Sequence, residues 1–184
     1  MHEIFKAAGG MLQIVTIAAG ELATPVAGNP IFTGSFAMTR YANKEGKHAV
    51  GVVAEFGKTH QLAAELAYPI PWGVLLHANA AVTAVNNGTA SHDNTVATTA
   101  GGYGVLQVLA GNGTATFTIE HSATNTDAAF DSTGAIITFA GTAAATPFAE
   151  IKCTATKTTT IHRYTRWQVA LGTATTVTFI MDVS

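Results

Sequence analysis

From residue 103 onward, apolar and polar positions follow each other in short runs bounded by turn residues. YGVLQVLA, 103–110, is apolar enough for a strand at the heart of a sandwich. Gly-Asn-Gly follows, and because Asn and Gly both tolerate positive φ, the pair predicts a hairpin into the next run. That run, TATFTIEH, 114–121, alternates cleanly: Ala115, Phe117, Ile119 and His121 face one way, and Thr114, Thr116, Thr118 and Glu120 the other. AIITFAG, 135–141, is the next strand. EIKCTAT, 150–156, sets Ile151, Cys153 and Ala155 inward, with Glu150, Lys152 and Thr154 outward. HRYTRWQVAL, 162–171, and TTVTFIMDV, 175–183, close the set, the last with Val177, Phe179, Met181 and Val183 toward the core.

These runs are rich in Thr, Val, Ile and Phe, which suit a pleated, half-buried surface, and no long helical period interrupts them. The pattern predicts an all-β fold, an antiparallel, jelly-roll-like β-sandwich over residues 71–184, with a smaller β-rich region over 1–70. In that first region MLQIVTIA, 11–18, GSFAMTRYA, 34–42, and HAVGVVAEF, 48–56, read as strands. HQLAAELA, 60–67, fits strand or helix equally, and HEIFKAA fits one helical turn. YPIPWG, 68–73, has two prolines within three residues and marks a boundary or a rigid crossover. NNGTASHDN, 86–94, reads as a long polar turn. The first region has too few large apolar residues for a core of its own, so it is expected to pack on the sandwich or on another copy of the chain.

Composition narrows the function. The chain has 184 residues, 48% hydrophobic and 11% charged, with a formal net charge of -2. Such a balance attracts no nucleic acid and does little to oppose self-association. A single cysteine, Cys153, excludes an internal disulfide framework, and its inward phase predicts an inert thiol. No apolar run reaches the length of a membrane span, and the N-terminal stretch lacks the basic start and unbroken apolar run of a secretory signal.

The residues capable of chemistry form no reactive constellation. The seven histidines show no metal-ligand spacing, there is no Gly-x-Ser-x-Gly elbow, and no glycine-rich loop opens a helix. Glu120, Asp127 and Asp131 read as solvated turn residues. The expectation is therefore a protein without catalytic residues, metal or cofactor. Arg40, Lys44, Lys47 and His48 form a basic loop suited to contacts between subunits. HRYTRW places Arg163, Thr165 and Trp167 on one strand face and Tyr164 and Arg166 on the other. With Tyr103, the residues Arg163, Tyr164, Arg166 and Trp167 are candidates for a surface contact or a glycan platform.

From about residue 70 to the end, the chain resembles the major tail, or tail tube, proteins of tailed bacteriophages. The resemblance lies in the order of several features: Trp72-Gly73, the stretch from Asn87 to Asp93, Gly101-Gly102 before an apolar strand, the strand-to-turn from Thr116 to Asn125, and the Arg163–Arg166 strand. It implies a non-enzymatic virion subunit present in many copies, assembled in the host cytoplasm, with copies of itself and other virion proteins as partners. Tail proteins of this type usually carry a larger first region, which forms the tube wall. The shorter one here leaves capsid decoration, a head spike, or a carbohydrate-binding module facing host-surface glycans as alternatives. No specific nucleic acid and no membrane are expected as partners.

Overall fold

The computed structural model describes residues 12–18, 24–46, 49–57, 72–84, 86–87, 91–143 and 148–184. The strands are β1 (Leu12–Ala18), β2 (Pro30–Gly46), β3 (Ala49–Gly57), β4 (Trp72–Val82), β5 (Asn86–Asn87), β6 (His92–Asp93), β7 (Tyr103–Gly111), β8 (Thr114–Ser122), β9 (Ala135–Ala143), β10 (Phe148–Cys153), β11 (Tyr164–Leu171) and β12 (Val177–Val183). One short helix, α1 (Asp127–Thr133), lies between β8 and β9. The first sheet runs β1-β2-β4-β12-β7-β10 with β3 added on β2, and the second runs β5-β11-β8-β9 with β6 also on β11. All pairings are antiparallel.

The fold is thus an all-β antiparallel sandwich, and the alternation seen in the sequence explains its core. Ala115, Phe117 and Ile119 of β8, Trp167 and Val169 of β11, and Val177, Phe179, Met181 and Val183 of β12 meet between the sheets. Phe117, Ile119, Val177 and Phe179 are completely buried. On β7, Leu106 and Val108 enter this core, whereas Tyr103 and Val105 join a second cluster on the opposite face with Ile151. Both faces of β7 are covered, which is why its sequence is apolar nearly throughout.

What covers that second face is the N-terminal part. Ile14 packs on the Tyr103–Val105–Ile151 cluster together with Cys153. Thr16 Oγ1 donates to Asp182 Oδ2 at 2.9 Å and accepts from Gln107 Nε2 at 2.9 Å. β1 therefore folds back across the sheet to which it is joined through β2, and the sheet curls on itself. Pro30–Phe32 of β2 pair with Trp72–Val74 of β4, so strands from both sides of residue 70 share one sheet. Residues 58–71, with the HQLAAELA run and most of the proline segment, lie outside the described residues, as does HEIFKAA.

Two readings are corrected. The turn at Asn112-Gly113 does not close a hairpin: β7 belongs to the first sheet and β8 to the second, so the chain crosses the sandwich there. Of this pair only Gly113 has positive φ, at 69°, whereas a type I′ hairpin needs it at both central positions. The Asn112 side chain is used differently. Its Oδ1 accepts from the backbone N–H groups of Thr175 at 2.9 Å and Thr176 at 3.2 Å, which ties this crossing to the neighbouring one between β11 and β12. The second correction concerns the basic loop: residues 40–46 are strand, the far half of β2, paired with β3.

Candidate functional site

The face alternation of β11 decides which of its side chains can act at a surface. Thr165, Trp167 and Val169 point between the sheets. Trp167 is 9% exposed and meets His77 at 4.5 Å and Phe179 at 5.5 Å between ring centroids. Tyr103 is 1% exposed, and its hydroxyl donates to Thr33 O at 3.5 Å inside the curl of the first sheet. Neither ring is presented to a ligand, because each points into a filled layer, Trp167 between the sheets and Tyr103 under the N-terminal strands.

Arg166 points outward from the core yet is only 2% exposed. Its Nε donates to Glu120 Oε2 at 2.7 Å, Nη1 to Asp127 Oδ1 at 2.5 Å, and Nη2 to Asp131 Oδ1 at 3.2 Å. The guanidinium also lies 4.3 Å from the centroid of the Phe130 ring. Phe130 is the buried residue of α1, so the helix closes over Arg166 as a lid. The three acids are thus not merely solvated turn residues. The β8–β11 register sets Arg166 opposite Glu120, and the arrival of Asp127 and Asp131 depends on the helix.

Arg163 and Tyr164 remain near the surface. Arg163 grips Asp93 with both ends of its fork, Nε to Oδ1 at 2.7 Å and Nη2 to Oδ2 at 2.6 Å. It also lies over the Tyr164 ring at 5.1 Å. The guanidinium bond holds the Asp93 carboxyl down to about 2. Beside it His92 titrates below its ordinary range, chiefly through burial, with Asp93 acting in the opposite sense.

His92 and Asp93 line a cleft of about 600 Å³. Its buried lining includes Val74, Ile161, Thr165 and Val183, and its exposed lining includes Trp72 and Val96. Trp72 sits opposite Phe32 in the ladder, with the rings edge to face at 5.2 Å, and is 58% exposed. The 93–96 segment along the cleft is tightly tied. Thr95 N–H donates to Asp93 Oδ1 at 2.8 Å, Val96 N–H to Asn94 O at 2.8 Å, and Asn94 Nδ2 to Thr165 Oγ1 at 3.4 Å. Thr95 has φ of 69°, unusual for a β-branched residue and a mark of local strain. The sequence marked Trp72-Gly73 and the stretch from Asn87 to Asp93 separately; nothing in it placed them in one cleft.

Among the assembly candidates, Arg40 lies opposite Glu55 and Lys44 opposite Gly51 in the β2–β3 ladder, while Lys47 and His48 lie outside the described residues. Elsewhere, His121 and His162 stack at 4.7 Å, and His121 Nδ1 accepts from the His162 backbone N–H at 3.0 Å. Among the described residues, no group of three or more His, Cys, Asp or Glu side chains is placed to hold a metal ion. No helix among them is long and apolar enough to cross a membrane. Compared with known proteins, the chain matches no family model, no curated protein and no solved structure.

Proposed function

We propose that this protein is a non-enzymatic structural subunit of a bacteriophage virion that assembles in many copies, with the tail tube as its place and the bacterial cytoplasm as its site of assembly. The observation that carries this reading is the β2–β3 ribbon. β2 runs for 17 residues. Its first part pairs with β1 and β4, and from Ala37 onward it pairs with β3. Among the described residues, β3 pairs with no strand but β2. Residues 37–46 and 49–57 thus form a two-stranded arm continuing past the sheet. A two-stranded ribbon is at best marginal by itself in water, and its outer edge carries a row of backbone donors and acceptors suited to pairing with another chain. A ring of identical copies satisfies that edge without leaving an open end. The sparse charge of the chain and the likeness of residues 70–184 to tail proteins support the same reading.

The test shortens the arm. Met38 and Phe56 are partners in the ladder, so residues 39–55 can be replaced by Asn-Gly, a two-residue turn that closes a hairpin. Sedimentation velocity is expected to show large homo-oligomers for the full chain and monomers for the shortened one, with equal β content by circular dichroism. Oligomers unchanged by the replacement would remove the arm from the interface and this reading with it. Negative-stain imaging with antibody against the chain then separates a tail location from decoration of the capsid.

A further inference from the structure

We propose that the cleft beside Trp72 is a binding site for a neutral saccharide. The proposal does not depend on the assembly reading, since Trp72, His92–Val96 and Arg163 all lie outside the arm. An indole 58% exposed at a cleft edge is an uncommon use of the largest apolar side chain, because leaving it in water forgoes the burial that stabilises the fold. Here the ring is held rather than loose, by its ladder position and its edge-to-face contact with Phe32. A pre-positioned ring of this kind presents a flat apolar face at little entropic cost on binding.

The remaining lining defines the ligand. Apolar groups, Val74, Val96 and Val183, alternate with polar ones, His92, Asn94 and Thr98. Ser184 also lines the cleft, and its buried Oγ has no hydrogen-bond partner among the described residues. A mixed wall with a few polar groups is what fixes a small amphipathic ligand. Asp93, the carboxylate side chain in the lining, is already paired with Arg163 through two hydrogen bonds, so its charge is met within the protein. A pyranose ring matches this surface: its C–H face stacks on an aromatic ring while its hydroxyls, donors and acceptors at once, meet amide, hydroxyl and imidazole groups. A cleft of about 600 Å³ accommodates one or two sugar units. The strained Thr95 and the short hydrogen bonds around it keep the polar wall fixed before the ligand arrives.

The experiment titrates the full chain with cellobiose, maltose and N,N′-diacetylchitobiose, following the two indole N–H signals by NMR. Binding by at least one sugar is expected to move the Trp72 signal and leave the buried Trp167 signal in place. Trp72→Ala, at an exposed position that should not disturb folding, is expected to weaken binding at least tenfold. Asn94→Ala is expected to weaken it several-fold, with a folded chain by circular dichroism and a slightly lowered melting temperature, since its amide also bonds Thr165. If none of the three sugars shifts the Trp72 signal at millimolar concentration, or if Trp72→Ala binds as the parent does, the cleft is not a saccharide site. The Asn-Gly arm replacement should bind the same sugar as the full chain, so that loss of assembly and loss of binding report on separate proposals.

Discussion

Asp182 is an acid where the alternation of β12 leaves no room for one in water. Val177, Phe179, Met181 and Val183 take the face toward the second sheet, so Asp182 falls on the other face, under β1, and is completely buried. Burial pushes its pKa up to about 8, opposed only in part by the Thr16 hydroxyl bond. Between about pH 4 and 8 the folded chain therefore holds a proton that the unfolded chain releases, and stability falls as pH rises through that window. Three histidines act in the opposite sense. Burial, helped by His162, pushes His121 down to about 4, and burial lowers His77 and His92, so stability falls as pH drops through about 6.5. An unfolded histidine is still half protonated at about pH 6.5, so these three add a slope of opposite sign until about pH 7.5. The parent and Asp182→Asn share them, and the difference between the two isolates the acid. Relative to Asp182→Asn, urea midpoints of the parent are expected to decline from about pH 5 to about pH 8; parallel profiles would show that Asp182 is ionised in the folded chain. At Arg166 the expectation is different in kind. Arg166→Ala leaves Glu120, itself only 7% exposed, without its partner, and a loss of about 3–5 kcal/mol by urea unfolding is expected. Asp127 and Asp131 are 85% and 63% exposed, so neither should share in that cost.

Among the elements, β7 and β8 show how the sheets come close. Gly104 of β7 sits where an added Cβ would run into Ile119 Cδ1 of β8 and would lie 3.2 Å from Phe139 and 3.3 Å from Ile137 of β9. These are side chains of a filled core, with little room to yield. Gly104→Val is expected to cost about 1–3 kcal/mol and to broaden the NMR signals of the Ile119 methyl and Phe139 ring protons. A variant as stable as the parent would mean that the sheets are farther apart than the packing indicates. The two crossings at one end of the sandwich are coupled in the same way. Asn112 bonds to Thr175 and Thr176, and the Thr114 backbone N–H donates to Thr173 Oγ1 at 2.9 Å. Asn112 reads from sequence as a turn former, and with Thr173 it also ties together two connections whose bonded residues lie 59 to 64 positions apart in the chain.

On the scale of the whole molecule, the N-terminal strands serve two ends. β1 and the first part of β2 complete the body, because without them Tyr103, Val105 and Asp182 would lose the layer that covers them. The rest of β2, with β3, leaves the body as the arm. Removing the whole N-terminal part would therefore confuse folding with assembly, and the arm replacement is the cleaner test. Since the arm ends at the pair Met38–Phe56 in the shortened chain, its body is expected to stay folded with a melting temperature independent of concentration, while its sedimentation coefficient drops to that of a monomer. A shortened chain that is unfolded by circular dichroism at room temperature would place the arm in the fold rather than at an interface.

The all-β class, the strands after residue 103 and the inward faces of β8 and β12 were determined by the sequence itself. Side-chain direction in a strand has a period of two, and each run was long enough to display it. Local pattern put Glu120 on the face away from Phe117 and Ile119, and Arg166 on the face away from Trp167, but in β11 both faces carry large groups and neither was marked as inward. It could not say that an outward face would be buried, because that depended on α1, a seven-residue helix too short to show a helical period. Asn-Gly was read as a hairpin because turn chemistry is local, while the choice between pairing within a sheet and crossing to the other depends on strands far along the chain. Tyr103 and Trp167 looked like platform residues because an aromatic ring reads the same in sequence whether it ends in a core or at a surface. Only the tertiary structure separated them from Trp72, by filling the space over two of the rings and leaving an open cleft beside the third.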